Sequence, residues 1–403
     1  MRLQTGRFFY TLLGLIKGKF MTEGQPVQPA QQPQTAAPVP AAAPATPPPA
    51  PVPVSAPAPV TPPPAPSPAP VAAAASTPGP GPKGPFEATV LFNRTIRKCF
   101  WRIGLQFSGA GAEAFARTRP GQFAQFDISN VALPAPEAIP DELKDAAAKQ
   151  VLLRRPFSFA RITRETVPPA HTAAGQPHQH KPAHSGPGKL IVEIVYCVLG
   201  PATLRMTTLV KGNTLSIIGP LGNGFTVPAG KKRALLVAGG MGSPPLEHLA
   251  QVLTAEQPTM DVMAFAGAKT KEDLPFEKPL DNLSREIGFW LAEFGKYSIG
   301  SAVATDDGSF GFKGFVSDCI LDWFKQNSVN PNETIIYACG PRPMLASISK
   351  LAREKKIDCQ VSMEEMMACG IGLCQSCAVQ CAGDKYKLCC KDGPVFDAKD
   401  IVF

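Results

Sequence analysis

The sequence predicts two folded units of different class, an antiparallel β-barrel followed by a doubly wound parallel α/β sheet. Short runs rich in Val, Ile, Phe and Thr, separated by Gly and Pro and without a helical period, fill residues 86–229 and indicate the barrel. From residue 230 to residue 357, apolar strands alternate with helical segments, which is typical of a parallel sheet. A third observation, a group of cysteines within residues 358–403, predicts a small C-terminal domain.

The first 85 residues are not expected to join the folded core. Residues 21–85 are mostly Pro, Ala, Val, Gln, Ser and Thr and contain 23 of the 45 prolines, so they are predicted to be a solvated tail or spacer. A proline-rich ligand for a partner is the alternative. Residues 1–20 place basic residues around an apolar run that is too short to span a bilayer. An interfacial helix and a true start at Met21 both remain open.

The charge distribution gives no support for nucleic-acid binding. The net charge is +8, and residues 1–85 contribute +4 of it through five Lys or Arg and one Glu. The other 318 residues therefore carry only +4.

Six barrel strands are predicted, at 86–92, 99–107, 122–129, 157–162, 190–199 and 214–218. Two insertions interrupt them. The first, 130–150, is predicted to hold a short helix at 142–150. The second, 164–188, contains four of the five histidines, whose irregular spacing among Pro, Gly and Ala favours a mobile loop over a metal site. These are His171, His178, His180 and His184.

In the second unit, strands are predicted at 234–238, 260–266, 299–304 and 334–338, and helices at 246–253, 314–326 and 344–355. Two strands run directly into glycine-containing turns. Gly239, Gly240 and Gly242 follow the first strand, and Cys339 and Gly340 follow the last. Such turns before helices allow a pyrophosphate to bind backbone N–H groups, although one turn alone could simply be a tight connection.

Cys369, Cys374 and Cys377 stand in a C-x4-C-x2-C run, and Cys381, Cys389 and Cys390 follow it. This is the spacing of plant-type [2Fe–2S] clusters, which need a fourth thiolate further along the chain. Glycines at 370 and 372 suit a loop that wraps a cluster. A zinc site would favour C-x2-C elements on both sides, and a disulfide set would favour a small secreted domain. The pattern therefore predicts a one-electron carrier.

The order of barrel, nucleotide-binding sheet and [2Fe–2S] segment resembles the ferredoxin–NADP reductase superfamily. Residues 86–403 are most similar to the electron-transfer subunits of NAD-dependent dihydroorotate dehydrogenases, whose flavin motif Arg-Pro-x-Ser matches Arg155-Pro156-Phe157-Ser158. Further matches are the turn at 219–225, the loop at 305–309 and the segment Cys390-Lys391-Asp392-Gly393-Pro394. In that family the fourth cluster ligand directly precedes Lys-Asp-Gly-Pro, which selects Cys390.

The resemblance also implies the cofactor contacts. FAD would be bound by residues 86–229, NAD by residues 230–357 and the [2Fe–2S] cluster by residues 358–403. The implied FAD contacts are Arg155, Pro156, Phe157, Ser158, Val195, Tyr196, Cys197, Ala202 and Thr203, and the implied NAD contacts are Gly239, Gly240, Gly242, Cys339 and Gly340. One departure is Gly200-Pro201-Ala202-Thr203, where the family has Gly-x-Gly-Thr and Pro201 supplies no N–H donor.

The activity implied by the resemblance is electron relay in pyrimidine biosynthesis, from dihydroorotate to NAD+. The partner would be an FMN-containing catalytic subunit in a cytoplasmic heterotetramer, and neither a membrane location nor a catalytic acid–base residue on this chain is expected. NAD is favoured over NADP, although Lys269 and Lys271 follow a predicted strand. Two alternatives remain. One is a related subunit for a sulfhydrogenase, sulfite reductase or ferredoxin-linked transhydrogenase, and the other is a non-catalytic scaffold that uses its proline-rich arm.

Overall fold

A computed structural model describes residues 84–164, 189–277 and 291–403. The predicted tail lies almost wholly outside these ranges, as do residues 165–188 with the four clustered histidines. The sequence predictions for both segments therefore remain predictions.

The first unit is an antiparallel sheet that curls into a barrel, as predicted. Its strands are β1 (Gly84–Arg97), β2 (Phe100–Phe107), β3 (Phe123–Phe126), β4 (Arg155–Ser158), β5 (Arg161–Arg164), β6 (Leu190–Cys197) and β7 (Thr214–Leu221). They follow the order β4-β3-β7-β1-β2-β6-β5. The long strand β1 pairs with β2 and β7, and breaks of register after Val90 and Thr95 bend it around the core.

The prediction of one strand at 157–162 is wrong. β4 and β5 are separate strands at the two edges of the sheet, and β4 pairs with β3 whereas β5 pairs with β6. Phe159 and Ala160 connect them, and both are buried. Two consecutive residues that face inward cannot belong to one alternating strand, so the chain turns a corner here and brings the sheet edges together.

Three short helices accompany the barrel: α1 (Gly109–Phe115), α2 (Lys144–Ala147) and α3 (Pro201–Met206). The sequence did not predict α1 or α3. The helix predicted at 142–150 is shorter in the structure, because its first residues form a separate turn of 3-10 helix at Asp141–Leu143.

The second unit is the predicted parallel α/β sheet. Its elements are β8 (Arg233–Gly239), α4 (Ser243–Glu256), β9 (Asp261–Ala268), α5 (Ala292–Gly295), β10 (Gly300–Thr305), β11 (Phe312–Lys313), α6 (Val316–Gln326), β12 (Thr334–Cys339), α7 (Arg342–Lys355) and β13 (Asp358–Ser362). The order is β11-β10-β9-β8-β12-β13, with every neighbouring pair parallel. The central strands β8 and β12 are buried almost throughout, as expected for strands covered by helices on both faces.

The C-terminal segment contains the hairpin β14 (Ala378–Cys381) and β15 (Lys385–Leu388), the short helix α8 (Cys389–Asp392) and the strand β16 (Val395–Asp397). β16 pairs antiparallel with β13 and so completes the second sheet. Cys377, Val379 and Phe396 are buried in the same apolar core as Leu235 and Ile336 of the parallel sheet. The cysteine segment is therefore packed onto the sheet through a continuous core.

No helix in the described ranges is both long enough and apolar enough to cross a membrane.

Candidate cofactor and electron-transfer site

The four candidate cluster cysteines come together as two pairs. The backbone N–H of Cys374 donates to Cys369 Sγ at 3.4 Å, and the backbone N–H of Cys390 donates to Cys377 Sγ at 3.4 Å. Cys390 also lies within electrostatic range of Cys369, so the two pairs adjoin. Residues far apart in the sequence thus converge because β14 and β15 fold the chain back and α8 presents Cys390.

The loop between Cys369 and Cys374 has the backbone conformation that a cluster site needs. Gly370 and Gly372 have φ angles of 70° and 86°, a region that favours glycine. The N–H of Ile371 points at Cys369 Sγ, 3.5 Å away. N–H groups aimed at sulfur stabilise negative charge on thiolate ligands.

The local environment gives the candidate ligand thiols different pKa values. The Ser376 hydroxyl, 3.2 Å from Cys374 Sγ, lowers the pKa of Cys374 to about 6, and backbone N–H donors lower the pKa of Cys369. Burial and the hydrogen bond with Cys377 raise the pKa of Cys390 to about 12. Metal ligation requires thiolates, so binding at Cys390 would release a proton.

The arrangement of the four cysteines as two pairs suits a binuclear cluster. Two thiolates for each of two irons, with N–H groups directed at sulfur, match the chemistry of [2Fe–2S].

The neighbouring cysteines have other contacts. Cys389 is fully buried and its Sγ donates to the carbonyl oxygen of Met363 at 3.4 Å. Cys381 is also buried, with its Sγ 3.7 Å from the carbonyl oxygen of Val379. These contacts favour Cys390 as the fourth ligand.

In the predicted flavin motif, the two adjacent arginines have different contacts. Arg154 is fixed to the barrel by hydrogen bonds to the carbonyl and hydroxyl oxygens of Ser216, at 2.7 and 3.0 Å, and by an ion pair with Asp127 at 3.3 Å. Arg155 donates only to the carbonyls of Leu153 and Arg154 and has no carboxylate partner among the described residues. Its guanidinium is therefore available for an anion, whereas that of Arg154 is not.

The side chains of the other predicted flavin residues differ in their packing and hydrogen bonds. The Phe157 ring packs edge-on against Tyr196, and the Tyr196 hydroxyl donates to Asn93 Oδ1 at 3.0 Å. Val195 and Tyr196 are buried, so their side chains serve the barrel core. The Thr203 hydroxyl accepts from the N–H groups of Leu199 and Gly200 and so closes the turn before α3.

Three further predicted flavin residues have simpler surroundings. Ser158 lies half-buried at the end of β4, opposite Phe123, and Pro156 is opposite Gln125. Ala202 is buried on α3.

The two predicted dinucleotide turns meet, because β8 and β12 are neighbours. A Cβ at Gly242 would lie 2.0 Å from the carbonyl oxygen of Cys339, and one at Gly340 would lie 2.9 Å from Gly239 Cα. Only glycine permits this approach of two backbones. Gly240 has a φ of 49° and open space around it. Pro244 and Pro245 occupy the first turn of α4, so fewer N–H donors are present there than at a usual helix start.

The cysteine segment also packs directly against the barrel. A Cβ at Gly370 would lie 2.2 Å from Nε2 of Gln125 on β3, and one at Gly222 would lie 2.7 Å from the carbonyl oxygen of Gly393. Asn223 adds three hydrogen bonds of 2.9 Å, from its amide nitrogen to the carbonyls of Asp392 and Val395 and from the Val395 N–H to its amide oxygen. The candidate cluster site therefore lies against β3, the strand that pairs with the flavin motif on β4.

Comparison with known proteins extends the match to most of the chain. Residues 364–402 match the iron–sulfur cluster binding domain of dihydroorotate dehydrogenase B, and residues 236–350 match the oxidoreductase NAD-binding domain. The dihydroorotate dehydrogenase B (NAD+) electron transfer subunit of Geobacillus sp. strain WCH70 is 31% identical over 320 residues, which cover 78% of this chain and 98% of the relative. The corresponding subunit of Caldanaerobacter subterraneus is 35% identical over 320 residues, 79% of this chain and 98% of its own.

The chain belongs to the dihydroorotate dehydrogenase B electron transfer subunit family. Its fold is that of the ferredoxin reductases. A solved NADH-dependent reduced ferredoxin–NADP oxidoreductase superposes with a TM-score of 0.54 at 24% identity, over 78% of this chain and 89% of the other.

The sequence analysis did not identify one buried polar residue of this electron transfer subunit as a candidate functional residue. Gln125 is 1% exposed, and neither its amide nitrogen nor its amide oxygen has a hydrogen-bond partner. An unpartnered buried amide is unfavourable, so it indicates a site for a group that completes its hydrogen bonding. The motif that could have drawn attention to it, Gln122-Phe123-Ala124-Gln125, reads as an ordinary strand.

Proposed function

We propose that this chain relays electrons between NAD(H) and an FMN-containing dihydroorotate dehydrogenase catalytic subunit, through FAD and a [2Fe–2S] cluster that it binds itself. The curated relatives are named as electron transfer subunits of dihydroorotate dehydrogenase B (NAD+), which supports a role in pyrimidine biosynthesis.

The observation that carries the proposal is the contact between the cluster loop and β3, the strand that pairs with the flavin motif on β4. Gly370 lies against Gln125 of β3, and Gln125 is paired across the sheet with Pro156 of the flavin motif. A relay needs its two electron carriers close together, and this packing supports that arrangement.

In this proposal Arg155 binds the flavin pyrophosphate and Ser158 hydrogen-bonds the flavin, with Pro156, Phe157, Val195, Tyr196, Cys197, Ala202 and Thr203 completing its site. The turns at Gly239, Gly240, Gly242, Cys339 and Gly340 bind NAD, and Cys369, Cys374, Cys377 and Cys390 hold the cluster. When bound, FAD supplies hydride exchange with nicotinamide and the cluster supplies one-electron steps. The chain itself positions these groups, and we assign it no acid–base residue.

Charge near the sheet edge supports NAD rather than NADP. Asp306 and Asp307 follow β10, and their N–H groups donate to the carbonyls of Ala268 and Lys269 at 3.1 and 3.3 Å. The Asp306 carboxylate lies within electrostatic range of Lys269, whereas the Asp307 carboxylate accepts hydrogen bonds from the N–H and the hydroxyl of Ser309. The negative charge of these two groups opposes the binding of a 2′-phosphate at this end of the sheet.

Exposed apolar side chains around the cluster loop support docking of a partner subunit. Met366 is 87% exposed, Leu373 is 76% exposed and Ile371 is 49% exposed. An exposed apolar patch beside an electron carrier is typical of a surface that binds another protein. We propose that the FMN-containing subunit binds here, within a heterotetramer. A cytoplasmic location would keep the eleven cysteines reduced.

The test is an anaerobic titration of the purified chain, with and without a dihydroorotate dehydrogenase catalytic subunit, followed by visible spectroscopy. NADH is expected to bleach both the FAD and the cluster bands of the chain alone. Dihydroorotate is expected to bleach them only when the catalytic subunit is present.

If NADH bleaches the bands but dihydroorotate never does, the relay stands and the partner is a different reductase or dehydrogenase subunit. A chain that stays colourless after reconstitution with iron, sulfide and FAD would rule out the relay and favour a scaffold.

A further inference from the structure

Two cysteines outside the cluster site are in direct contact. Cys99 precedes β2 and Cys197 ends β6, and the Cys197 thiol donates a hydrogen bond to Cys99 with 3.0 Å between the sulfur atoms. The backbone holds them there, because Phe100 is the register partner of Cys197 and the Val198 N–H donates to the Cys99 carbonyl at 2.8 Å. Both side chains are half-buried, so a small solute can reach them.

The two thiols have opposite proton affinities. The hydrogen bond from Cys197 lowers the pKa of Cys99 to about 7, and the positive charge of Lys98 adds to this effect. The same hydrogen bond, together with burial, raises the pKa of Cys197. At neutral pH a large fraction of Cys99 is therefore thiolate, while Cys197 is a protonated neighbour. This is the pattern of an attacking and a resolving thiol.

We propose that Cys99 and Cys197 form a reversible dithiol–disulfide site that exchanges with low-molecular-weight disulfides of the glutathione type. The Cys99 thiolate attacks one sulfur of the small disulfide, and the S–S bond breaks to release one small thiolate. Cys197 then loses its proton to solvent and attacks the Cys99 sulfur of the mixed disulfide, which releases the second small thiolate. Two electrons pass from the protein dithiol to the small disulfide, which becomes two thiols.

The site lies where the barrel meets the second sheet. Arg97, next to the turn that carries Cys99, donates to the carbonyl oxygen of Lys271, which follows β9. Cys197 belongs to the proposed FAD segment. The contact between the two sulfur atoms is set by the pairing of β2 with β6 and does not itself require FAD.

The test uses the full chain with its iron–sulfur cluster intact, as verified by iron content and visible spectrum. The protein is equilibrated anaerobically with mixtures of reduced and oxidised glutathione, quenched with N-ethylmaleimide, digested and mapped by mass spectrometry. We expect one cross-linked pair of peptides joining Cys99 to Cys197, which increases with oxidised glutathione and disappears with dithiothreitol. If both cysteines are alkylated in every mixture, the proposal is wrong.

Single variants test the order of attack. In Cys197→Ser the mixed disulfide with glutathione should accumulate on Cys99, because the resolving thiol is absent. In Cys99→Ser we expect Cys197 to react at least tenfold more slowly than Cys99 does in Cys197→Ser. Equal rates would overturn the assignment of Cys99 as the attacking thiol. Cys319→Ser, which removes a buried thiol on α6, is the matched control and should leave the cross-link unchanged.

Discussion

Cys389 and Cys390 are adjacent in the sequence, but their thiols have different neighbours. Cys389 donates to the Met363 carbonyl, whereas Cys390 contacts Cys377 and lies near Cys369. We expect Cys390→Ser to lose the cluster, with iron and sulfide contents falling close to zero and the visible bands disappearing. A cluster that survives in Cys390→Ser but is lost in Cys389→Ser would reverse the assignment.

Two conservative controls accompany that variant. Cys389→Ser and Cys381→Ser place a hydroxyl in a buried apolar site and should reduce stability modestly, but they should keep full iron content. The comparison therefore separates loss of a ligand from loss of packing.

The buried side chain of Gln125 leads to a second prediction about a single residue. Its amide is buried and unpartnered, and it touches the cluster loop at Gly370. We expect Gln125→Leu to make the cluster reduction potential more negative, on the order of 50 mV, because it removes the amide N–H group that we expect to donate to the cluster and to stabilise its reduced state. Redox titration followed by EPR measures this shift.

The matched control is Gln106→Leu, on β2 at the other side of the barrel sheet. It should leave the potential unchanged. If Gln125→Leu also leaves the potential unchanged and instead raises the melting temperature, the amide has no partner in the holoprotein.

The spacing of Cys369, Cys374 and Cys377 predicted a cluster site because ligand spacing is a local property. The burial of the Gln125 side chain depends instead on its contact with Gly370, which lies in the C-terminal cysteine segment. The contact between Cys99 and Cys197 likewise requires the register of β2 with β6. Properties that depend on two distant segments could not be predicted from either segment alone.

Among the connecting elements, the turn after β7 attaches the cysteine segment to the barrel. Asn223 makes three side-chain hydrogen bonds to the backbone of 392–395. We expect Asn223→Ala to lower the free energy of unfolding by about 2–4 kcal/mol, since it leaves partly buried backbone groups unpaired. It should also speed the release of iron to a chelator several-fold.

Asn332→Ala is the control, because Asn332 is exposed in a turn and its side chain makes no hydrogen bond within the described ranges. Equal rates of iron release in the two variants would show that the Asn223 contacts do not hold the cluster segment in place.

A buried charge network joins the barrel to helices α4 and α5. Arg102 on β2 binds Glu193 at 3.0 Å and Glu247 at 2.8 Å, whereas Glu293 is 3.9 Å away. Burial, together with repulsion from Glu247, raises the pKa of Glu293 to about 7. A carboxyl group with a raised pKa in the folded state favours folding at low pH, and this contribution is lost as the pH rises from about 4.5 through 7.

We therefore expect Glu293→Gln to raise the free energy of unfolding at pH 8 by about 1–3 kcal/mol and to change it little at pH 5. Denaturant unfolding at both pH values measures the difference. Glu256→Gln, at the exposed end of α4, should have no effect at either pH. A loss of stability in Glu293→Gln at pH 8 would mean that the ionised carboxylate is favourably paired with Arg102.

Among the strands and helices, the sequence predicted the central strands and the main helices well, because apolar periodicity and glycine turns mark them. It failed at Phe159 and Ala160, where two buried residues turn a corner between sheet edges. It also missed β13 and β16. These strands are short, and their pairing is decided by the position of the whole cysteine segment on the sheet.

Taken as a whole molecule, the chain keeps the predicted order of barrel, parallel sheet and cysteine segment, but these parts share their core. The predicted boundary at residue 358 falls where β13 begins, and β16 returns from the cysteine segment to pair with it. Phe123 and Leu221 of the barrel, Ile336 of the sheet and Cys377 belong to one apolar cluster. Composition predicts each part separately, but it contains no signal for the surfaces that the parts bury against one another.

This shared core predicts that loss of the cluster destabilises more than its own loop. Thiolates bind the irons only in the folded state, so the binding free energy adds to the stability of the fold. We expect the iron-free chain, prepared anaerobically with a chelator and a reductant, to melt at least about 5 °C below the holoprotein, and we expect β-sheet signal to be lost in that same transition. Calorimetry and far-UV circular dichroism, with iron and sulfide reconstitution as the control, measure the effect. Identical melting of both forms would mean that the cysteine segment folds and unfolds independently of the sheet, in conflict with the β13–β16 pairing.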